Sequence, residues 1–288
     1  MEWHEIRDPQ DTELDRLAER YRLHPLHIED CRHRYQNAKV EETRGYLFAV
    51  LKTVQVAEDG SLAVADLDVF LGRDFLITVE EPKQTACRRM IEQARAAATG
   101  KRADEAFYRV TDGVVDTYLP VLDHFSDVID DLEDQVLDRP TPEELAKIFE
   151  TKRSLILLRR VLVNTRDLTA HLQRSESELI HRDLWPFLRD VYDHVARNLD
   201  LVEMQRDLLT GSLDIYLSSV ANRTNQVMKV LTVLGTIALP ALVISSIYGM
   251  NLKGLPFIDS PHGSTIVGGV MLAMTVLLLG ILRLMRWF

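Results

Sequence analysis

Val230-Leu-Thr-Val-Leu-Gly-Thr-Ile-Ala-Leu-Pro-Ala-Leu-Val-Ile-Ser-Ser-Ile-Tyr248 is a run of nineteen residues without a charge, and Gly263 to Leu282 is a second run of twenty. Each matches the roughly 20 residues an α-helix needs to cross the hydrocarbon core of a bilayer. A buried helix of a soluble core has similar composition, but two such runs at the end of a chain that is 27% charged are hard to place in one soluble core. Two membrane spans joined by a short loop are therefore expected. The first run ends in Tyr248-Gly249-Met250-Asn251, where the polar loop begins.

Working outward, the charge divides along the same line. Of 34 basic and 44 acidic residues, four basic (Lys229, Lys253, Arg283, Arg286) and one acidic (Asp259) lie beyond Arg223, leaving 30 and 43 before it. The first three quarters form a water-facing acidic body, which argues against a nucleic-acid partner and suits cations. Arg223 and Lys229 precede the first span and Arg283 and Arg286 follow the second, with Lys253 alone between them, so both ends are expected to face the cytoplasm. The start, MEWHEIRDPQDTELDRL, carries no apolar core of a signal peptide. Two cysteines, Cys31 and Cys87, give no disulfide framework and fit a reducing compartment.

In the acidic body, Tyr46 to Val54, Asp68 to Leu71 and Phe75 to Val79 are rich in β-branched and aromatic residues, with turn signals at Asp59-Gly60 and Gly72. Helical stretches flank them at Thr12 to Tyr21 and Thr85 to Ala98. This predicts a small α/β domain ending near Gly100. Long helices with few breakers follow: Thr111 to Leu137 as one, and Glu143 to Leu172 as the next, with Thr141 as N-cap and Glu143 and Glu144 at the positive helix end. Asp127, Asp130, Asp131, Glu133 and Asp134 crowd the first of these, as a solvated face does or as a loose attractor of divalent cations does.

From Pro186 to Tyr248 the only further proline is Pro240, so one helix of about 90 Å is predicted to run from the acidic body through the first span. Pro240 leaves the carbonyl of Thr236 without its usual donor. Asn225, Met228, Gly235, Leu239, Leu242, Ser246 and Gly249 recur at spacings of three and four, or their sum, and share one stripe of that helix. Such a stripe is by default a packing seam, and only symmetry about an axis makes it a pore.

The stretch Tyr216-Leu-Ser-Ser-Val-Ala-Asn-Arg-Thr-Asn-Gln-Val-Met-Lys-Val-Leu-Thr232, followed by Tyr-Gly-Met-Asn251 and a second span, closely resembles the CorA family of magnesium transport channels. So do His24-Pro-Leu-His-Ile-Glu-Asp30, Lys39-Val-Glu-Glu, Tyr46-Leu-Phe and Arg189-Asp-Val-Tyr-Asp-His194. The match runs in order over nearly the whole chain. Many members carry an additional stretch before the position of Trp3, so the α/β domain here is expected to be smaller.

The resemblance implies an α+β chain with a small cytoplasmic α/β domain, a long-helix stalk and two C-terminal transmembrane helices per subunit, assembled as a homopentameric funnel in the inner membrane. The segments expected are 1–100 (α/β domain), 101–185 (antiparallel cytoplasmic helices), 186–248 (stalk and first span), 249–262 (outer loop), 263–282 (second span) and 283–288 (basic tail). Tyr248, Gly249, Met250 and Asn251 would form the selectivity filter. Neutral oxygens there suit Mg²⁺, which keeps much of its water shell. Met228, Leu231, Leu239 and Leu242 resemble the family's apolar constriction and Asn225 a polar ring at the cytoplasmic end, with Gly235 and Ser246 completing the lining. Glu29, Asp30 and Asp190 match positions where carboxylates of adjacent subunits share a regulatory cytosolic Mg²⁺, so that ion occupancy would hold the ring closed.

Mg²⁺, with Co²⁺ and Ni²⁺ as companions, is thus the expected transported and regulatory ion, and the partners expected are a homopentamer, membrane lipid and divalent ions. A zinc-transporting branch of the same superfamily tends to have isoleucine at the position of Met250, which favours magnesium. His24, His27, Cys31 and His33 are zinc-ligand types at a spacing of no standard zinc motif. A membrane-anchored signalling coiled coil would need a sensing domain between the spans, where only Gly249 to His262 is available. No phosphate-binding glycine loop or nucleophile motif points to an enzyme.

Overall fold

The computed structural model describes residues 1–33, 36–81, 85–138, 140–175, 177–250, 254–257 and 260–284. The chain divides into two compact units, Met1–Ile215 and Tyr216–Phe288.

The first unit is built on a five-stranded sheet of order β1-β5-β4-β3-β2, with β1 Glu2–Ile6, β2 Lys39–Glu42, β3 Tyr46–Val56, β4 Leu62–Gly72 and β5 Phe75–Glu80. Neighbours are antiparallel except β1, which lies parallel to β5. The three strands expected from sequence are present, and β4 starts at Leu62, well before Asp68, because it pairs with β3 along its whole length, from Val56↔Leu62 to Tyr46↔Gly72. At the far end of β4 a Cβ on Gly72 would stand 2.0 Å from the Phe75 ring, so a larger residue there would have to displace that ring from its stack on Tyr21.

On one face of the sheet lie α1 (Thr12–Tyr21) and α2 (Pro25–Arg32). Asp11 caps α1 by accepting from the Glu13 N–H at 2.9 Å, and His24 caps α2 through Nδ1 at 3.2 Å from the Leu26 N–H, with Pro25 at the first helical position. Leu14, Leu17 and Ile28 close over Phe48, Val50 and Phe70 as one apolar core.

Four further helices lie wholly within this unit: α3 (Thr85–Ala98), α4 (Ala103–Asp116), α5 (Tyr118–Asp138) and α6 (Pro142–Arg174). The buried Tyr118 hydroxyl donates to the Lys52 carbonyl at 2.8 Å and lies 3.1 Å from Thr165 Oγ1, tying α5 and α6 to β3. The compact unit therefore extends well past Gly100. The single helix expected over Thr111 to Leu137 is two. The break falls at Thr117 because Pro120 has no N–H to offer the Asp116 carbonyl, whereas as the third residue of a new helix it forfeits nothing. At the start of α6, Thr141 is the N-cap as expected, and its backbone N–H donates to the Glu144 carboxylate at 2.7 Å.

Helix α7 runs from Trp185 to Gly249 without interruption, in agreement with the expected Pro186 to Tyr248. Its early turns belong to the first unit, where Gln205 Nε2 donates to the Leu122 carbonyl at 2.7 Å and Glu203 pairs with Arg159. In the second unit, the later turns of α7 and α8 (Gly263–Leu284) are the two helices long and apolar enough to cross a membrane. Gly263 opens α8 tightly against the loop: a Cβ there would stand 2.1 Å from the Phe257 carbonyl oxygen.

Candidate ion path and metal-binding groups

At the end of α7, Tyr248 and Gly249 form the last turn and Met250 follows it, its N–H donating to the Ile247 carbonyl at 3.3 Å. The Tyr248 hydroxyl donates to the Pro256 carbonyl at 2.9 Å and so ties the helix end to the loop. Asn251, the expected selecting side chain, lies outside the described residues.

Below that end, α7 is exposed over most of its circumference, with one covered stripe. Thr236, Pro240, Ile244 and Tyr248 are half-buried or buried. Asn225, Met228, Leu239, Leu242 and Ser246 are exposed and Gly235 is half-buried; at about 100° per residue Met228, Gly235, Leu239, Leu242 and Ser246 point away from the covered stripe, whereas Asn225, three turns earlier, lies near the line of Thr236. Leu231, Leu239 and Leu242 are 61%, 62% and 63% exposed, so the described residues of one subunit leave most of each side chain expected to form a constriction uncovered. Thr236 Oγ1 donates to the Thr232 carbonyl and Thr232 Oγ1 to the Met228 carbonyl, both at 2.8 Å, which satisfies these hydroxyls without a partner helix.

The expected regulatory acids are placed separately. Asp30 sits on α2, where its Oδ2 accepts from Lys39 Nζ at 2.7 Å; Lys39 donates as well to Glu41 Oε1 at 2.6 Å. Glu41 Oε2 lies 3.1 Å from His27 Nε2, and His27 Nδ1 lies 2.8 Å from the Tyr46 hydroxyl. That hydroxyl accepts the His24 N–H at 2.8 Å, so its own hydrogen is free for His27 Nδ1, leaving Nε2–H to donate to Glu41. Burial works against the Lys39 ammonium, but its bonds to Asp30 and Glu41 outweigh this and raise its pKa above that of an ordinary lysine. The hydrogen bond from Lys39 is the main force holding Glu41 below the usual carboxylate range. Glu29 is exposed beside Asp30.

Asp190 lies exposed on α7 with its Oδ2 3.6 Å from His194 Nε2. His194 belongs to a group that the sequence reading missed: ligand atoms of Asp112, Asp116 and His194 all lie within 4.8 Å of one another. Asp112 and Asp116 are one turn apart on α4, a spacing visible in the sequence, but nothing local announces that α7 brings His194 to them. Burial, then the neighbouring Asp116 charge, pushes the Asp112 carboxyl above its usual range. The Tyr108 hydroxyl donates to Asp112 at 3.3 Å, and its pKa is pushed up to about 12 by burial and then by that carboxylate. Two carboxylate oxygens fit a Mg²⁺ that keeps most of its water, and the imidazole adds a ligand for Co²⁺ or Zn²⁺. Asp30 and Asp190 are not brought together within one chain.

The His24, His27, Cys31 and His33 set does not converge on a zinc site. His24 caps α2, His27 is engaged by Tyr46 and Glu41, and His33 Nδ1 lies 2.9 Å from the Glu29 carbonyl oxygen. The buried Cys31 thiol is pushed up by burial and by Asp68. Asp68 is itself buried beside the Lys52–Asp66 ion pair, and its Oδ1 has no hydrogen-bond partner among the described residues. Burial, then the Asp66 charge, raises Asp68 to about 7. The acids of α5 are mainly solvated, with Glu133 accepting from Ser212 Oγ at 3.3 Å.

The family of CorA-like Mg²⁺ transporter proteins matches residues 1–286. The cobalt/magnesium transport protein CorA of Thermotoga maritima is 36% identical over 282 residues, covering 95% of this chain and 79% of that protein. In fold, the chain is similar to the complete CorA magnesium transporter of Methanocaldococcus jannaschii, with a TM-score of 0.86 at 24% identity over 99% of this chain and 91% of that one. It is also similar to the ZntB cytoplasmic domain of Vibrio parahaemolyticus, with a TM-score of 0.62 at 14% identity over 76% of this chain and 88% of that one. With two apolar helices able to span a bilayer and a family match over nearly its full length, the chain is a membrane protein that belongs to the CorA-like Mg²⁺ transporter family.

Proposed function

We propose that this chain is the subunit of a homopentameric channel for hydrated divalent cations, Mg²⁺ first and Co²⁺ and Ni²⁺ with it, in the inner membrane with both termini cytoplasmic. The observation that carries the reading is the family match over residues 1–286, supported by the exposed apolar positions Met228, Leu231, Leu239 and Leu242 on α7, the helix that runs into Tyr248-Gly249-Met250-Asn251. Five copies of that helix around one axis would bury Met228, Leu231, Leu239 and Leu242 against one another. They would then form a narrow apolar throat that stops ions by excluding water, with Asn225 as a polar ring below and Gly235 and Ser246 allowing close approach. Asn251 and the adjacent carbonyls would meet a hydrated ion with neutral oxygens, selecting it without holding it.

Regulation is assigned to carboxylates shared between neighbouring subunits. Glu29 and Asp30 on one subunit would face Asp190 on the next, and Asp112, Asp116 and His194 extend that acidic surface. Their mutual repulsion falls when a divalent ion binds, so cytosolic Mg²⁺ would hold the subunits together and the pore closed, and its depletion would release them. Flux into proteoliposomes tests the core of this reading. Wild-type protein should take up Mg²⁺ and the Asn251→Ala variant should not. Zn²⁺ uptake without Mg²⁺ uptake would reassign the chain to zinc transport, and no flux of either ion would overturn a transport pore.

A further inference from the structure

The geometry points to Lys39 as a built-in competitor of the regulatory divalent cation at Asp30, with Glu41 as the place to which its ammonium retreats. The inference rests on the reading of Asp30 as a ligand of that ion. Lys39 Nζ occupies the Asp30 carboxylate at 2.7 Å, so a divalent ion reaching Asp30 must displace a tethered cation or bind beside it. Displacement does not strand the ammonium, because Lys39 is already bonded to Glu41 at 2.6 Å and lies 5.8 Å from the Phe48 ring centroid. Glu41 is fixed from its other side by His27 at 3.1 Å, which Tyr46 orients at 2.8 Å. Asp30 thus exchanges one cation for another, and the balance between Asp30 and Glu41 for Lys39 sets the Mg²⁺ concentration at which the exchange occurs.

Two substitutions should move that concentration in opposite directions. Lys39→Met removes the competitor and should lower the Mg²⁺ midpoint about tenfold, the size of effect that one adjacent charge has on a carboxylate. Glu41→Gln removes the retreat, strengthens the hold of Lys39 on Asp30 and should raise the midpoint severalfold. Lys39→Arg keeps the charge and should titrate near wild type. The measurement is a Mg²⁺ titration of the purified full-length protein, read both as inhibition of flux in proteoliposomes and as the Mg²⁺-dependent rise in melting temperature. A purely structural role would lower the melting temperature in EDTA for both variants and shift both midpoints upward, which would overturn the inference, as would an unchanged midpoint in Lys39→Met. Asp30→Asn separates the two levels. If it closes at the wild-type Mg²⁺ concentration, the reading of Asp30 as a ligand falls and this inference with it. If it loses closure while Lys39→Met titrates at or above wild type, the inference alone falls.

Discussion

Replacing Asp68 by asparagine should remove a steep loss of stability between mildly acidic and mildly alkaline pH. The folded chain raises this carboxyl from 3.8 to about 7, through burial and then the charge of Asp66, with Cys31 and Lys52 pulling the other way and Asp30 adding a smaller repulsion. Because the folded state holds the proton more tightly than the unfolded chain, the stabilisation is complete below about pH 4 and is lost as pH rises through about 7. At about 1.4 kcal/mol per pKa unit, roughly 4 kcal/mol is involved, of which about 3 kcal/mol is lost between pH 5 and pH 8. For a unit the size of Met1–Ile215 this is a fall of roughly 6–12 °C in melting temperature. The assay is thermal unfolding of the full-length protein in detergent and EDTA. It is followed by tryptophan fluorescence, to which Trp3 contributes from the sheet, where its indole N–H donates to Thr78 at 3.2 Å. Glu80 and Asp112 are raised by burial too and remain in the variant, so the difference between the two curves isolates Asp68. A variant that declines as steeply as wild type, or a wild type that gains stability toward pH 8, would refute the reasoning.

Asp112→Asn combined with Asp116→Asn should weaken Co²⁺ binding by roughly 10–100-fold in isothermal titration calorimetry, and an unchanged isotherm would remove the two acids from any site. The same titration in wild type should weaken as pH falls toward the raised range of Asp112, since protonation removes a ligand. Leu242→Asn should wet the proposed throat and leave a Mg²⁺ leak at inhibitory Mg²⁺, visible as flux where wild type shows none. Tyr118→Phe should cost about 1–2 kcal/mol by stranding the Lys52 carbonyl, read as a lower melting temperature; an unaltered one would mean that water replaces the hydroxyl.

What was legible in the sequence is what local pattern dictates. The ends of α1 and α3 were read to the residue because an aspartate cap or a threonine start and an apolar periodicity define them locally. The membrane helices were legible because a charge-free run of bilayer length has few other uses. β1 was not, since Glu2-Trp-His-Glu-Ile6 is too polar to announce a strand and exists through parallel pairing with β5, over seventy residues away. The break at Thr117 has a local signal, the missing N–H of Pro120, but the helical periodicity that runs on from Thr111 to Leu137 masks it. For the proposed site, motif resemblance singles out Asp30 and Asp190 as candidates, but not that Lys39 holds Asp30 or that His194 joins Asp112 and Asp116. Those contacts depend on how β2 lies beside α2 and how α7 lies beside α4, which no short stretch encodes.

The pairing of β1 with β5 also sets a schedule for biosynthesis. Ile6 cannot be covered until Phe75–Glu80 has been made, so the first strand and α1 wait with their apolar side exposed. Once Glu80 has emerged, about 150 residues remain before the first span at Val230, which at 5–20 residues per second is roughly 8–30 s of elongation. A mixed sheet closing long-range pairs in milliseconds to seconds has time to finish within that interval. The sheet is thus free to complete itself before the nascent chain presents a bilayer-length apolar segment to the insertion machinery, and its own apolar strands need not compete with that segment for membrane.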